Sequence, residues 1–120
     1  MSIPSFERLR VWHESRRLVE SVYCATRGKS FAGDAAFRSQ IRRAALSVMS
    51  NNAEGYERGS RKEFARFLAI ARASAAEVRS QLYAAEDVRY LSASTAGRLR
   101  QEFASLSRQI FALEKKMHTR

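Results

Sequence analysis

One proline, one cysteine and five glycines are all that 120 residues hold of the usual interrupters and cross-linkers. Pro4 precedes the first periodic segment, so the rest reads most economically as an all-helical chain with three short connections. β-branched residues are sparse beside Ala, Arg, Leu, Ser and Glu, which disfavours sheet. Cys24 alone excludes a disulfide framework and suits a reducing compartment. No apolar run approaches the roughly 18 residues of a membrane span, and the opening Met1–Arg8 lacks the apolar core of a signal peptide. A soluble, cytoplasmic protein with no membrane partner is expected.

Catalytic signals are equally scarce. His13 and His118 stand at opposite ends of the chain with no HExxH or Glu-x-x-His spacing, which argues against a ferritin-like metal bundle. Cys24 falls on an amphipathic stretch and reads as a small hydrophobe. There is no glycine-rich phosphate loop, serine elbow or Cys-x-x-Cys. Glu54, Glu57 and Glu63 cluster in sequence, but helix caps and arginine pairs account for them. No catalytic, metal or cofactor residue is assigned, and the expectation is a protein that is not an enzyme.

What is present is helical periodicity. Ser60–Leu91 is an uninterrupted run opened by Ser60-Arg61-Lys62-Glu63, a capping-box spacing. Phe64, Leu68, Ala71, Ala75, Val78, Leu82 and Ala85 then repeat at alternating intervals of four and three, the narrow seam that a helix buries against other helices. At 1.5 Å per residue the run spans roughly 45 Å. Around it the spacing predicts helices near residues 6–27, with Ser5 as cap and Gly28 as a left-handed stop, 34–54 and 92–117. Leu9, Val11, Trp12, Leu18, Val19, Val22 and Tyr23 form a broad arc on the first. Phe37, Ile41, Ala44 and Val48 form the core side of the second. Asn51 and Asn52 continue that side, where a buried amide needs a partner and should tie a helix end or a neighbouring backbone. Leu99, Phe103, Leu106, Ile110, Leu113 and Met117 line the last, and Lys115, Lys116 and Arg120 complement its dipole. A link of one to three residues before it forces antiparallel neighbours. The chain is long enough for one domain with its own core.

The long helix has more than one apolar strip. Phe67 and Ile70, with Ser74, Gln81 and Val88, lie beside the seam, and Ala65, Ala69, Ala73 and Ala76 form a third strip of small side chains. A second apolar face on Phe67 and Ile70 predicts self-association, with Phe111 of the last helix as a further intersubunit candidate.

Charge has one dominant sign. Lys and Arg number 22 against 12 acids, giving a formal charge of +10 that both halves of the chain share. Arg supplies most of it, the side chain suited to phosphate forks. Arg61, Arg72 and Arg79 flank the seam of the long helix, and Arg38, Arg42 and Arg43 share part of a face on the second. Such rows can track a phosphate backbone. They can also pair with Glu14, Glu20, Glu77 and Glu86 of adjacent helices or subunits. No aromatic residue interleaves with them, so base stacking is not indicated and binding would be sequence-nonspecific.

Gln40-Ile-Arg-Arg-Ala-Ala-Leu-Ser47, followed by Asn51 and Ala53-Glu54-Gly55, resembles the signature of the small bundle proteins encoded by intervening sequences in bacterial 23S ribosomal RNA genes. The block Arg58, Ser60, Lys62-Glu63-Phe64, Arg66-Phe67-Leu68, Ala71, Ser74, Glu77 and Leu82 agrees. So do the opening Phe6-Glu7-x-Leu9-x-Val11-Trp12 and Tyr90-Leu91, and the match covers nearly the whole chain. The resemblance implies an all-α, single-domain, up-down-up-down antiparallel four-helix bundle that assembles as a ring-like homopentamer. The family is also similar to the accessory protein of diversity-generating retroelements, which implies RNA or DNA and a reverse transcriptase or other protein as partners. No catalytic residue carries over. Gln40, Ser47, Asn51 and Glu54 are implied as a polar layer holding helix ends, and Gly55 as the turn. Arg43 and Arg66 are the implied nucleic-acid contacts. Asn52 departs from the usual aliphatic residue and predicts weaker core packing; Ala73 and Arg89 stand where Gly is common, and Arg89 argues against a sharp helix stop before Tyr90.

Overall fold

Three short polar side chains set where the longest elements begin. Asp34 accepts the Phe37 N–H at 3.2 Å, Ser60 Oγ the Glu63 N–H at 3.1 Å and Ser92 Oγ the Thr95 N–H at 3.1 Å. Each satisfies an orphaned donor of a first turn, worth about 1 kcal/mol. The computed structural model describes residues 5–119, and in it these caps open α3 (Ala35–Glu57), α4 (Arg61–Asp87) and α5 (Ala93–His118). Before them come a 3-10 turn at Phe6–Arg8, α1 (Arg10–Ala25) and the single turn α2 (Lys29–Ala32). The chain is one all-α domain of five helices, with no strand among the described residues. Arg120 lies outside them, and with it one of the expected dipole partners.

The beginning differs most from expectation. Ser5 makes no side-chain cap, and Leu9 is extended at φ −80°, ψ 123°, so the first helix starts at Arg10. Gly28 is not left-handed: at φ −63°, ψ 164° it precedes α2. That extra turn places Phe31, 1% exposed, against Phe37 and Tyr90 at 5.4 and 5.1 Å between ring centroids. Burial of a full aromatic ring offsets the ordering of one helical turn that no periodicity announces.

The two later connections also correct the expectation. Gly55 is not a turn; it is buried inside α3, where an added Cβ would stand 2.5 Å from Phe67 Cβ. Its absent side chain lets α3 and α4 approach, and the left-handed residue of that connection is Gly59 at φ +84°. At the end of α4 the stop is sharp despite Arg89, which takes φ +65° itself. Tyr90 N–H bonds Ala85 O at 2.9 Å and Arg89 N–H bonds Glu86 O at 3.0 Å, a Schellman closure. Helix α4 therefore ends at Asp87 rather than Leu91, and Val88–Leu91 make a longer link than the one to three residues expected.

Helix α1 contacts α3 and α5, and α4 contacts the same two. Side chains join sequential elements where Phe6 N–H bonds Glu57, Ser47 meets Ser74 and Arg100 bonds Glu86. The predicted seam of α4 is wholly buried, as are Leu99, Phe103, Leu106 and Ile110 of α5; Leu113 and Met117 are half-buried. Asn52 sits in this core at 0% exposure. Its Nδ2 donates to Ser15 Oγ at 2.9 Å, and Ser15 donates on to Val11 O at 2.6 Å. Asn52 Oδ1 has no partner, a cost of about 1–3 kcal/mol for an orphaned buried acceptor.

Candidate nucleic-acid interface

Helical projection groups the arginines by face; tertiary contacts decide which remain available. Arg42 lies across the end of α1, its Nε donating to Thr26 Oγ1 at 2.8 Å and its fork to Tyr23 O at 3.3 Å. The guanidinium sits 4.3 Å from the Tyr23 ring centroid. Arg61 reaches from the start of α4 to the end of α5 and donates to the carbonyls of Lys116, Met117 and Thr119. It supplies cationic capping of an α-helical C-terminus from another helix. Arg72 bonds Glu114 at 3.1 Å and lies 5.0 Å from the Phe111 ring.

Arg66 is paired too, with Glu63 at 3.0 Å. The hydrogen bond holds the Glu63 carboxyl below its ordinary range and raises Arg66. So Glu63 turns its carboxylate to Arg66, while Ser60 caps the helix alone. These four side chains, candidate phosphate contacts from the sequence, are engaged within the chain. Among the described residues the side chains of Arg38, Arg43 and Arg79 have no hydrogen-bond or ion-pair partner. Of the acids offered as pairing partners, Glu14 and Glu86 take Arg17 and Arg100 at 3.1 and 2.8 Å; Glu77 accepts the Gln81 amide at 3.3 Å instead.

Two grooves gather what is left. Arg38, Arg42 and Arg43 share one of about 360 Å³ with Tyr23, Ser39 and Leu46, and no acid lines it. Arg72, Arg79 and Arg108 rim another of about 490 Å³ between α4 and α5. Arg108 was not foreseen. Only the register set by Arg72–Glu114 and Glu86–Arg100 brings it level with Arg79.

The predicted self-association residues separate. Phe67 does not face solvent: it is 6% exposed, seated over Gly55 and covered by the guanidiniums of Arg58 and Arg66 at 4.8 and 4.6 Å. Ile70 and Phe111 are 39% and 46% exposed. The implied polar layer is only partly one. Asn51 Nδ2 bonds Ser47 O at 2.8 Å and Ser47 Oγ at 3.0 Å, and Ser47 meets Ser74 at 2.8 Å. Gln40 is exposed, and Glu54 pairs with Arg58 at 2.8 Å on the surface. Among the described residues no cluster of His, Cys, Asp and Glu is placed to hold a metal ion. No helix among them is long and apolar enough to cross a membrane.

No curated protein matches the chain. The model of the 23S rRNA-intervening sequence proteins matches residues 7–112, and the chain belongs to that family.

Proposed function

We propose that this protein is a cytoplasmic, non-enzymatic, up-down-up-down antiparallel four-helix bundle whose α3 groove holds RNA or DNA by the phosphate backbone. One observation carries the reading. Among the described residues Arg38 and Arg43 have no acidic partner, and they share an acid-free groove with Arg42, which Thr26 and Tyr23 hold in place. Guanidinium forks suit phosphates, and each phosphate neutralised releases counterions. The one ring in the groove, Tyr23, already stacks on Arg42, so it is not a free platform for bases. Binding is therefore sequence-nonspecific and salt-sensitive.

Anisotropy titrations with single-stranded RNA and duplex DNA at about 50 and 200 mM salt test this. Wild type loses affinity steeply with salt. Arg38→Gln/Arg43→Gln binds more weakly to every sequence, with a duplex salt slope shallower by about two. No binding at the lower salt removes the reading. Half-exposed Ile70 supports a second one, a homo-oligomer, with five copies as the family resemblance implies, that serves as an assembly adaptor. Light scattering separates a pentamer from a monomer.

A further inference from the structure

The groove between α4 and α5 differs in kind from the one on α3. Ala69, Ala73, Ala76 and Ala104 floor it, Phe111 walls one end, and Arg72, Arg79 and Arg108 rim it. Arg72 is neutralised by Glu114 and pinned beside Phe111, whose ring also lies 5.5 Å from Lys115 Nζ. Among the described residues Arg79 and Arg108 have no acidic partner, because the register leaves Ser107 level with Arg79. The result is an apolar trough with two unneutralised cations at its edge and a half-exposed ring held at its end. From Ala69 to Arg79 the trough follows α4 for about 15 Å, two to three helical turns.

We propose that this trough receives an acidic amphipathic α-helix of a partner protein. Such a helix carries small or aliphatic side chains on the buried stripe and Asp or Glu on its flanks. An alanine floor lets a third helix axis approach to about 8 Å, and a helix satisfies its own backbone polar groups on a surface that offers few. Charge selects the occupant. A second copy facing the same groove would set Arg79 and Arg108 against themselves, and one seated by another face would bring a chain of net charge +10 to those two cations. A phosphate backbone would gain the two arginines but leave the alanine methyls and Phe111 without apolar cover. Acidic flanks meet the arginines while the stripe covers the floor.

The test uses the full chain and a designed helical peptide with a Leu/Ala stripe and Glu flanks, beside the same peptide with Lys flanks. Amide shift mapping and calorimetry read the site and the affinity. The Glu peptide binds and moves resonances of Ala73, Ala76, Ser107 and Phe111. Arg79→Glu/Arg108→Glu weakens it about tenfold or more and gives the Lys peptide the lost preference. Ala73→Leu, on an exposed position, fills the trough and abolishes binding while circular dichroism and RNA affinity stay as in wild type. Equal binding of the two peptides overturns the proposal. So does indifference to Ala73→Leu, or RNA that moves these same resonances and displaces the peptide.

Discussion

Helix α4 is shared by two contacts made on different principles. Toward α3 the backbones approach at Gly55, and polar groups enter the contact as Ser47–Ser74 and the Asn51 amide. Toward α5 side chains fill the space, with the Leu99–Ile110 heptad inside and the Arg72–Glu114 and Arg100–Glu86 pairs at the edges. Close approach leaves no room for a methyl group, whereas a helical glycine away from such an approach has it. An added Cβ collides with Phe67 at Gly55, whereas at Gly97 the nearest atom is the tip of Arg100 at 3.7 Å.

Substitutions at these sites sharpen the contrast. Gly55→Ala forces α3 and α4 apart and destabilises by about 1–3 kcal/mol, despite Ala being the better helix former. Chemical denaturation measures it, and an unchanged midpoint would break the close-approach account. Asn52→Leu keeps the branched shape, removes the orphaned Oδ1 and leaves Ser15 bonded to Val11. It stabilises by about 1–2 kcal/mol, the desolvation cost of an unmade hydrogen bond; a loss of stability would show that the Ser15 link matters more than the orphan. Gly97→Ala has the opposite sign to Gly55→Ala and stabilises by about 0.5–1 kcal/mol.

The smallest effect lies at the far end, where Tyr90 donates to Asp34 Oδ2 at 3.0 Å. That hydrogen bond, with burial and the Asp34 charge, raises the Tyr90 phenol above its ordinary value. A group whose folded value is raised contributes stability below the unfolded value, near pH 10, and loses it as pH climbs through the folded one. The stability gap between wild type and Tyr90→Phe is therefore full at pH 8 and shrinks at pH 11; a gap constant with pH removes the link.

How legible these features were follows from their range. The α4 seam, the α5 heptad and the Ser60 cap rest on residues a few positions apart, and all lie where the spacing puts them. Phe67 was misplaced because its cover comes from Gly55 and Arg58 on the preceding segment. The sequence leaves Arg61 and Arg72 open between phosphate contact and pairing, because the acceptors that engage them lie 40 to 60 residues away. Phe31 had no pattern to announce it, since a single turn is shorter than one period of any helical signal.

Helix content, the core seams of the two long helices, the Ser60 cap and the excess of positive charge were determined by the sequence alone, because each depends on neighbours along the chain. Which guanidiniums remain free was decided only by the tertiary structure. A long cationic side chain reaches whatever carboxylate, carbonyl or ring the fold brings beside it, and register between helices sets that neighbour. Arg38, Arg43, Arg79 and Arg108 are left over by that register, and they define the surface on which function is proposed.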